Sequence, residues 1–321
     1  MSRTNPHHRR RRRALAGVVL VGLAAASGLT TASFTAAHGH GGGVAYATDA
    51  PLFSLGDDGG PPTALAPPDF PAAAHPASLV STGPCLNVPI LVYHYIRIVT
   101  NPNDRLGWGL SVTPAEFTAQ MDWLRRAGGH PVTLAQLMKA LSGGPALPPH
   151  PVVLTFDDGY ADFATAALPV LLSDGFVATD YVVSGFLGRS NYMTVAQVQQ
   201  ADRDGMVIGA HTVHHVDLVA LPAAAAAGEI DVSKSTLQQV LGHPVLDFAY
   251  PYGYSDASVA TMVADAGFDD AVTMNPGTQQ CASWRYLLHR TRVGGGDTVW
   301  SFAAKAGIPG PPYGWTDHVV A

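Results

Sequence analysis

The chain has 321 residues, 47% hydrophobic and only 13% charged, with a formal net charge of −6; so apolar a chain can build a real core and is not wholly disordered. All six arginines up to Arg13 precede the first acidic residue, Asp49, so the remainder is formally −12 and lacks the basic face that nucleic acid requires. Two cysteines are too few for a disulfide framework or a Cys-rich zinc site.

Arg9 to Arg13 form a basic block, followed by the apolar, small-residue run Ala14 to Leu29 and by Ser, Thr and Ala up to Ala37. Residues 1–47 therefore read as a signal peptide or signal anchor. Cleavage fits after Ala37 or after Ala47; uncleaved, Ala14 to Ala37 is long enough to anchor in a bilayer. The Arg-Arg-Ala-Leu step also suits a twin-arginine signal loosely. Either way a secreted or cell-surface protein is expected, touching membrane only through this segment. Residues 48–85, rich in Pro and Ala without periodicity, read as a linker. In an oxidising compartment Cys85 is expected to pair with Cys281.

Residues 86–308 alternate strand and helix patterns, and 309–321 form a tail. Strands are expected at Pro89 to His94, Pro151 to Phe156, Phe176 to Val183, Met206 to Ala210, Leu246 to Tyr250, Asp270 to Met274 and Leu287 to Val293. Thr113 with Glu116, Thr133 with Gln136, and Thr194 with Gln197 have capping-box spacing and should open helices. Further helices are expected from about Asp162 to Asp174, Pro222 to Leu241, Ser255 to Gly267 and Thr298 to Ala306. Connections of this length suit crossovers, so the fold class is α/β with about seven mostly parallel strands, as a closed barrel or an open sheet. In both, functional residues gather at the carboxyl ends of the strands.

Three strand ends carry chemistry. Thr155-Phe-Asp157-Asp158-Gly159 places two adjacent carboxylates beside a glycine, so a turn can aim both into one pocket: one for a metal, one as a base. The alternative is an Asx turn or helix cap. His211-Thr-Val-His214-His215 follows the short strand ending at Ala210; His211 and His215 would share a face of one helical turn, a spacing that suits zinc or a similar divalent ion. His214 could substitute but would point partly away. Tyr250-Pro251-Tyr252-Gly253 offers aromatics for sugar stacking and backbone N–H groups for an oxyanion, or else a plain turn over the core. Asp158, His211 and His215 together make a two-His, one-carboxylate site. Trp108 is the best sugar-contact candidate among the tryptophans, and His94 is expected to line the barrel floor or support the site.

From about residue 86 to 305 the chain resembles the polysaccharide deacetylases, the NodB-homology group called carbohydrate esterase family 4. The resemblance rests on Tyr93-His94, Thr155-Phe-Asp-Asp-Gly159, His211-Thr-x-x-His215, Tyr250-Pro-Tyr-Gly253 and Leu287-Leu-His289-Arg290. It implies a distorted (β/α) barrel in a single catalytic domain and a divalent metal, usually Zn2+, on Asp158, His211 and His215. It implies Asp157 as general base, the Tyr252 N–H as oxyanion donor and His289 as general acid. Tyr250, Pro251, Tyr252 and Trp108 would meet substrate. Many members read Arg-Pro-Pro-Tyr in the third motif, where this chain has Ala249 and Tyr250, and the Asp that orients the acid His is replaced by a stretch offering only Asn275. These departures resemble a subgroup acting on poly-N-acetylglucosamine of the cell surface. The implied activity is hydrolysis of N-acetyl groups on that polymer, or on peptidoglycan or a chitin-like polymer of the cell wall. The same motifs suit an O-acetyl esterase on xylan, and a catalytically silent carbohydrate-binding protein is the alternative outside the enzymes.

Overall fold

The computed structural model describes residues 83–312. The expected signal segment, nearly all of the linker and the end of the tail lie outside the described residues. No described helix is long and apolar enough to cross a membrane.

Seven strands build the main sheet: β1 (Ile90–Tyr93), β2 (Pro151–Asp158), β3 (Thr179–Val182), β4 (Val207–Ala210), β5 (Asp247–Ala249), β6 (Asp270–Val272) and β7 (Thr291–Arg292). Their spatial order is β6-β5-β4-β3-β2-β1-β7, and every neighbouring pair is parallel. A two-residue strand, His130–Pro131, runs beside the start of β2. Helices fill the crossovers. Three lie between β1 and β2: α1 (Arg105–Leu110), α2 (Pro114–Arg126) and α3 (Leu134–Leu141). Then α4 (Leu168–Asp174), α5 (Val195–Arg203), α6 (Ala223–Leu241) and α7 (Ala257–Asp265) each precede the next strand, and α8 (Val299–Lys305) follows β7.

The sheet curls into a half-barrel. Leu288 makes a parallel bridge to Val272 of β6, and three residues later the same segment pairs with Leu91 of β1. Residues 288–292 thus span the two sheet edges. Strand alternation sorts the core into two faces. Ile90, Val153, Tyr181, Ala249, Val272 and Leu288 fill the interior. Leu91, Tyr93, Leu154, Phe156 and Phe248 face the helices, where Tyr93 stacks on Phe156 at 5.2 Å between ring centroids.

All three capping boxes form as their spacing predicts. The helix expected from Ser255 is instead capped by Asp256, whose carboxylate accepts the Val259 N–H at 2.8 Å. The helix expected from Asp162 begins as a π-helical run, Phe163–Ala167, in which the Leu168 N–H reaches back to the Phe163 carbonyl. Pro169 follows and has no N–H to continue a regular ladder to Thr165. Trp108 sits on α1, which the Asp104 carboxylate caps through the Gly107 N–H. Cys85 and Cys281 form a disulfide across an antiparallel ribbon of Cys85–Asn87 and Gln279–Cys281.

Candidate active site

The acidic pair sits at the carboxyl end of β2, and a reversal of backbone hand separates the two side chains. Asp157 follows the strand's alternation into the barrel interior beside Thr155. Asp158 (φ 79°) and Gly159 (φ 72°) both adopt left-handed backbone, which swings Asp158 toward the neighbouring strand ends. Gly159 suits that turn twice over: its φ favours glycine, and a Cβ there would crowd Val182 at 3.1 Å.

Arg290 holds Asp157 in a bidentate pair. Nη1 donates to Oδ1 and Nη2 to Oδ2, both at 2.7 Å, while Nε donates to the Thr273 carbonyl at 2.9 Å. Both side chains are buried. Burial pushes the Asp157 carboxyl up, but Arg290 and, more weakly, His211 outweigh it and hold the group below its ordinary value. Asp157 is therefore an anion near neutral pH, and each oxygen retains a lone pair beyond the one Arg290 occupies.

His211 extends the β4 ladder through its N–H to the Val182 carbonyl. Its ring Nδ1 lies 2.7 Å from the Ala249 carbonyl, so Nδ1 carries the proton and Nε2 presents a lone pair. That Nε2 is 3.4 Å from Asp158 Oδ1, and His215 Nε2 is 3.2 Å from the same oxygen. The two histidines do not share a helical turn. Residues 211–217 are irregular, and positive φ at Thr212 (65°) and His215 (54°) brings the rings to 4.9 Å between centroids. His214 points away, to Glu229.

Asp158 Oδ1 is buried and has no hydrogen-bond donor among the described residues, yet it faces two imidazole nitrogens. One carboxylate oxygen and two ring nitrogens converging on one point is the donor chemistry of Zn2+ or a similar divalent ion. Among the described residues this is the one group of three or more His, Cys, Asp or Glu side chains whose ligand atoms lie within 4.8 Å of one another. The residues fit such an ion.

The third motif divides. Tyr250 is fully buried and donates its hydroxyl to the Tyr286 carbonyl at 2.9 Å, and Pro251 is buried as well, so neither is placed to meet a sugar. Only Tyr252 opens to solvent, at 49% exposed; its ring stands 4.7 Å from that of His215. Tyr252 has φ 60°, and its N–H has no acceptor among the described residues. Gly253 makes the turn possible, since a Cβ there would lie 2.4 Å from the Met274 nitrogen.

His289 stands apart from the acidic pair. Extended backbone alternates its side chains, so with Arg290 turned inward His289 turns the other way. Its ring lies 5.1 Å from that of Trp284, and Gln280 brackets its backbone N–H and carbonyl. No hydrogen bond or ion pair joins it to Asp157 or Asp158 among the described residues. The expected acid role does not fit this placement. His94 does approach the pair. It follows β1 at the same end of the barrel, not at the floor, and its buried Nδ1 has no partner among the described residues. Burial lowers its pKa, against the pull of Asp158 and Asp157. Trp108 is 56% exposed and packs its ring over Gly295 and Gly296.

Arg290 is a site residue to which sequence reasoning assigned no role. The third motif has Ala249 where many members carry arginine, and the guanidinium that pairs with Asp157 comes instead from the last strand segment. Its alternation with His289 was the available signal.

The family model for polysaccharide deacetylases matches residues 145–271, from just ahead of β2 into β6, and so takes in both acids and both histidines. Residues 145–271 carry a polysaccharide deacetylase domain. The deacetylase relatives and structures support a hydrolase of acetyl groups on polysaccharide. YxkH of Bacillus subtilis strain 168, named for the same family, is 29% identical to the deacetylase over 217 residues, covering 68% of this chain and 75% of its own. The poly-beta-1,6-N-acetyl-D-glucosamine N-deacetylase of Escherichia coli K12 is 47% identical over 62 residues, which are 19% of this chain and 9% of that protein. Among solved structures, the Streptococcus pyogenes deacetylase PplD in complex with acetate aligns with a TM-score of 0.65 at 27% identity, covering 69% of this chain and 98% of its own.

Proposed function

We propose that this deacetylase is exported and metal-dependent, and that it removes N-acetyl groups from a poly-N-acetylglucosamine-type polymer. The observation that carries the reading is the meeting of Asp158, His211 and His215 beside the Arg290-held Asp157 at one mouth of the barrel. Asp158, His211 and His215 would hold the ion. When bound, it supplies Lewis acidity, polarising a carbonyl and lowering the pKa of water. Hydrolysis joins a water oxygen to the acetyl carbon and breaks its bond to the sugar nitrogen. Asp157, ionised and oriented by Arg290, accepts the proton that the attacking water gives up. The Tyr252 N–H is free to donate to the oxygen that gains charge. The departing nitrogen needs a proton, and we assign its delivery to His94, whose protonated form the nearby Asp158 and Asp157 charges favour against the opposing effect of burial.

The similarity to the Escherichia coli enzyme supports the polymer, although it spans a small part of that protein. The Cys85–Cys281 disulfide and the Arg-rich, apolar leader support export. Acetate release by the whole chain tests the reading on poly-N-acetylglucosamine oligomers, chitin oligomers, peptidoglycan and acetylated xylan. Release from the first is expected to exceed the others, to stop with chelator and return with Zn2+. In Asp157→Asn it is expected to fall by about 10²–10⁴-fold. Faster release from xylan would make the chain an O-acetyl esterase. No release from any substrate by the Zn2+-loaded protein would leave a binding role.

A further inference from the structure

We propose that Glu229 is a positioning residue for the metal site: its carboxylate shapes the loop between the two histidine ligands and thereby sets the affinity for the ion. The proposal rests on the metal reading above. His211 is fixed by β4 and by the Ala249 carbonyl, so its place does not depend on the loop. His215 lies four residues on, past left-handed backbone at Thr212 and itself left-handed. Such conformations in residues other than glycine are strained and persist only where surroundings enforce them.

Two sets of contacts enforce this one. The first fixes Thr212 and Val213. Their carbonyls accept the Ser184 and Gly185 N–H groups at 3.1 and 3.0 Å, and the Thr212 hydroxyl accepts the His215 N–H at 2.9 Å. The second is Glu229 alone. Its Oε2 accepts the Val213 and His214 N–H groups, both at 2.9 Å, and its Oε1 lies 2.7 Å from His214 Nδ1. One carboxylate from α6 thus holds the backbone of both Val213 and His214 and the His214 ring as well. Glu229 is also well shielded, at 13% side-chain exposure, while His214 is 56% exposed. Charge-assisted bonds in that setting are stronger than a solvated surface pair. Without the carboxylate, the Val213 and His214 N–H groups lose the bonds to Glu229, and His215 loses the restraint that aims its ring at Asp158 Oδ1.

The test is Zn2+ affinity of the whole chain, stripped of metal and titrated in competition with a chromophoric chelator. Glu229→Ala is expected to weaken binding by roughly 10–100-fold and to change the visible spectrum of the Co2+-loaded protein. Glu229→Gln is expected to restore most of the affinity, because an amide oxygen can still accept both backbone N–H groups. His214→Ala, which leaves those two bonds intact, should stay within about threefold of wild type. Should Glu229→Ala fail to fold, Glu229→Asp keeps the charge but draws the carboxylate back by one methylene, and must also weaken binding. Alanine and glutamine variants equally weak would assign the effect to charge and overturn positioning. Unchanged affinity in Glu229→Ala or in a folded Glu229→Asp, with Asp158→Ala unable to bind, would overturn the proposal alone. Wild type unable to bind Zn2+ would overturn the metal reading with it.

Discussion

Asp157 and Arg290 are 133 residues apart and make the most enclosed ion pair of the described chain. Taking two charges out of water is costly, and the bidentate geometry with the added bond to Thr273 is what offsets it. The arrangement also sets two histidines apart. Arg290 facing inward forces His289 outward, toward Trp284, whereas His94 has the charges of Asp158 and Asp157 within reach. His289→Ala is therefore expected to keep acetate release within about threefold of wild type. His94→Ala is expected to lower kcat by roughly 10²–10⁴-fold, the range for losing a proton-transfer group. Steady-state kinetics on one oligomer decides, and the reverse ranking would return the acid role to His289. The acids and histidines were legible because a strand end followed by glycine, or by clustered histidines, is a local pattern. The roles of Arg290 and His94 were not, because both depend on which strands become neighbours.

At the level of elements, local chemistry was legible where it is self-contained. Thr113 with Glu116 makes its box within four residues, and the structure shows both bonds. The π-helical run before α4 and the left-handed loop after β4 depend on packing against other elements, and no local spacing announces them. The adjoining strands β5 and β6 hide a further consequence of packing. Their parallel register sets Asp247 opposite Asp270 in the amino-terminal half of the barrel, away from the proposed site, with both side chains buried. Burial raises the Asp247 carboxyl to about 6 and holds Asp270 well above its ordinary value, where Asp247 pushes it further. A carboxyl whose pKa is raised on folding binds its proton more tightly in the native state. The stability this confers is complete below the unfolded value and is lost as pH rises through about 6 for Asp247. Thermal melts of the Zn2+-loaded protein are expected to fall between pH 5 and 7.5. Asp247→Asn should flatten that slope by an amount on the order of 5 °C. A parallel slope in the variant would place the pH sensitivity elsewhere.

Across the whole molecule, the disulfide ties the first strand of the described chain to the segment that brings Arg290 into the barrel. Cys85 and Cys281 lie 196 positions apart in sequence and enclose nearly the entire barrel. Loop-closure entropy for a ring of that size favours the cross-linked fold by about 5 kcal/mol in the chain-entropy treatment, and measured cases run closer to 2–4 kcal/mol. Gln280, beside the bridge, accepts the His289 N–H and donates to the His289 and Val88 carbonyls, so the ribbon is coupled to the residue preceding Arg290. Arg290 nevertheless has its own anchors in Thr273 and Asp157. Loss of the bridge should therefore cost stability and spare chemistry. Cys281→Ser is expected to lower Tm by roughly 5–15 °C while leaving acetate release at 25 °C within about threefold. If activity fell sharply well below the variant's Tm, the ribbon would be setting the position of Arg290, and the catalytic pair would depend on a covalent link far from it in sequence.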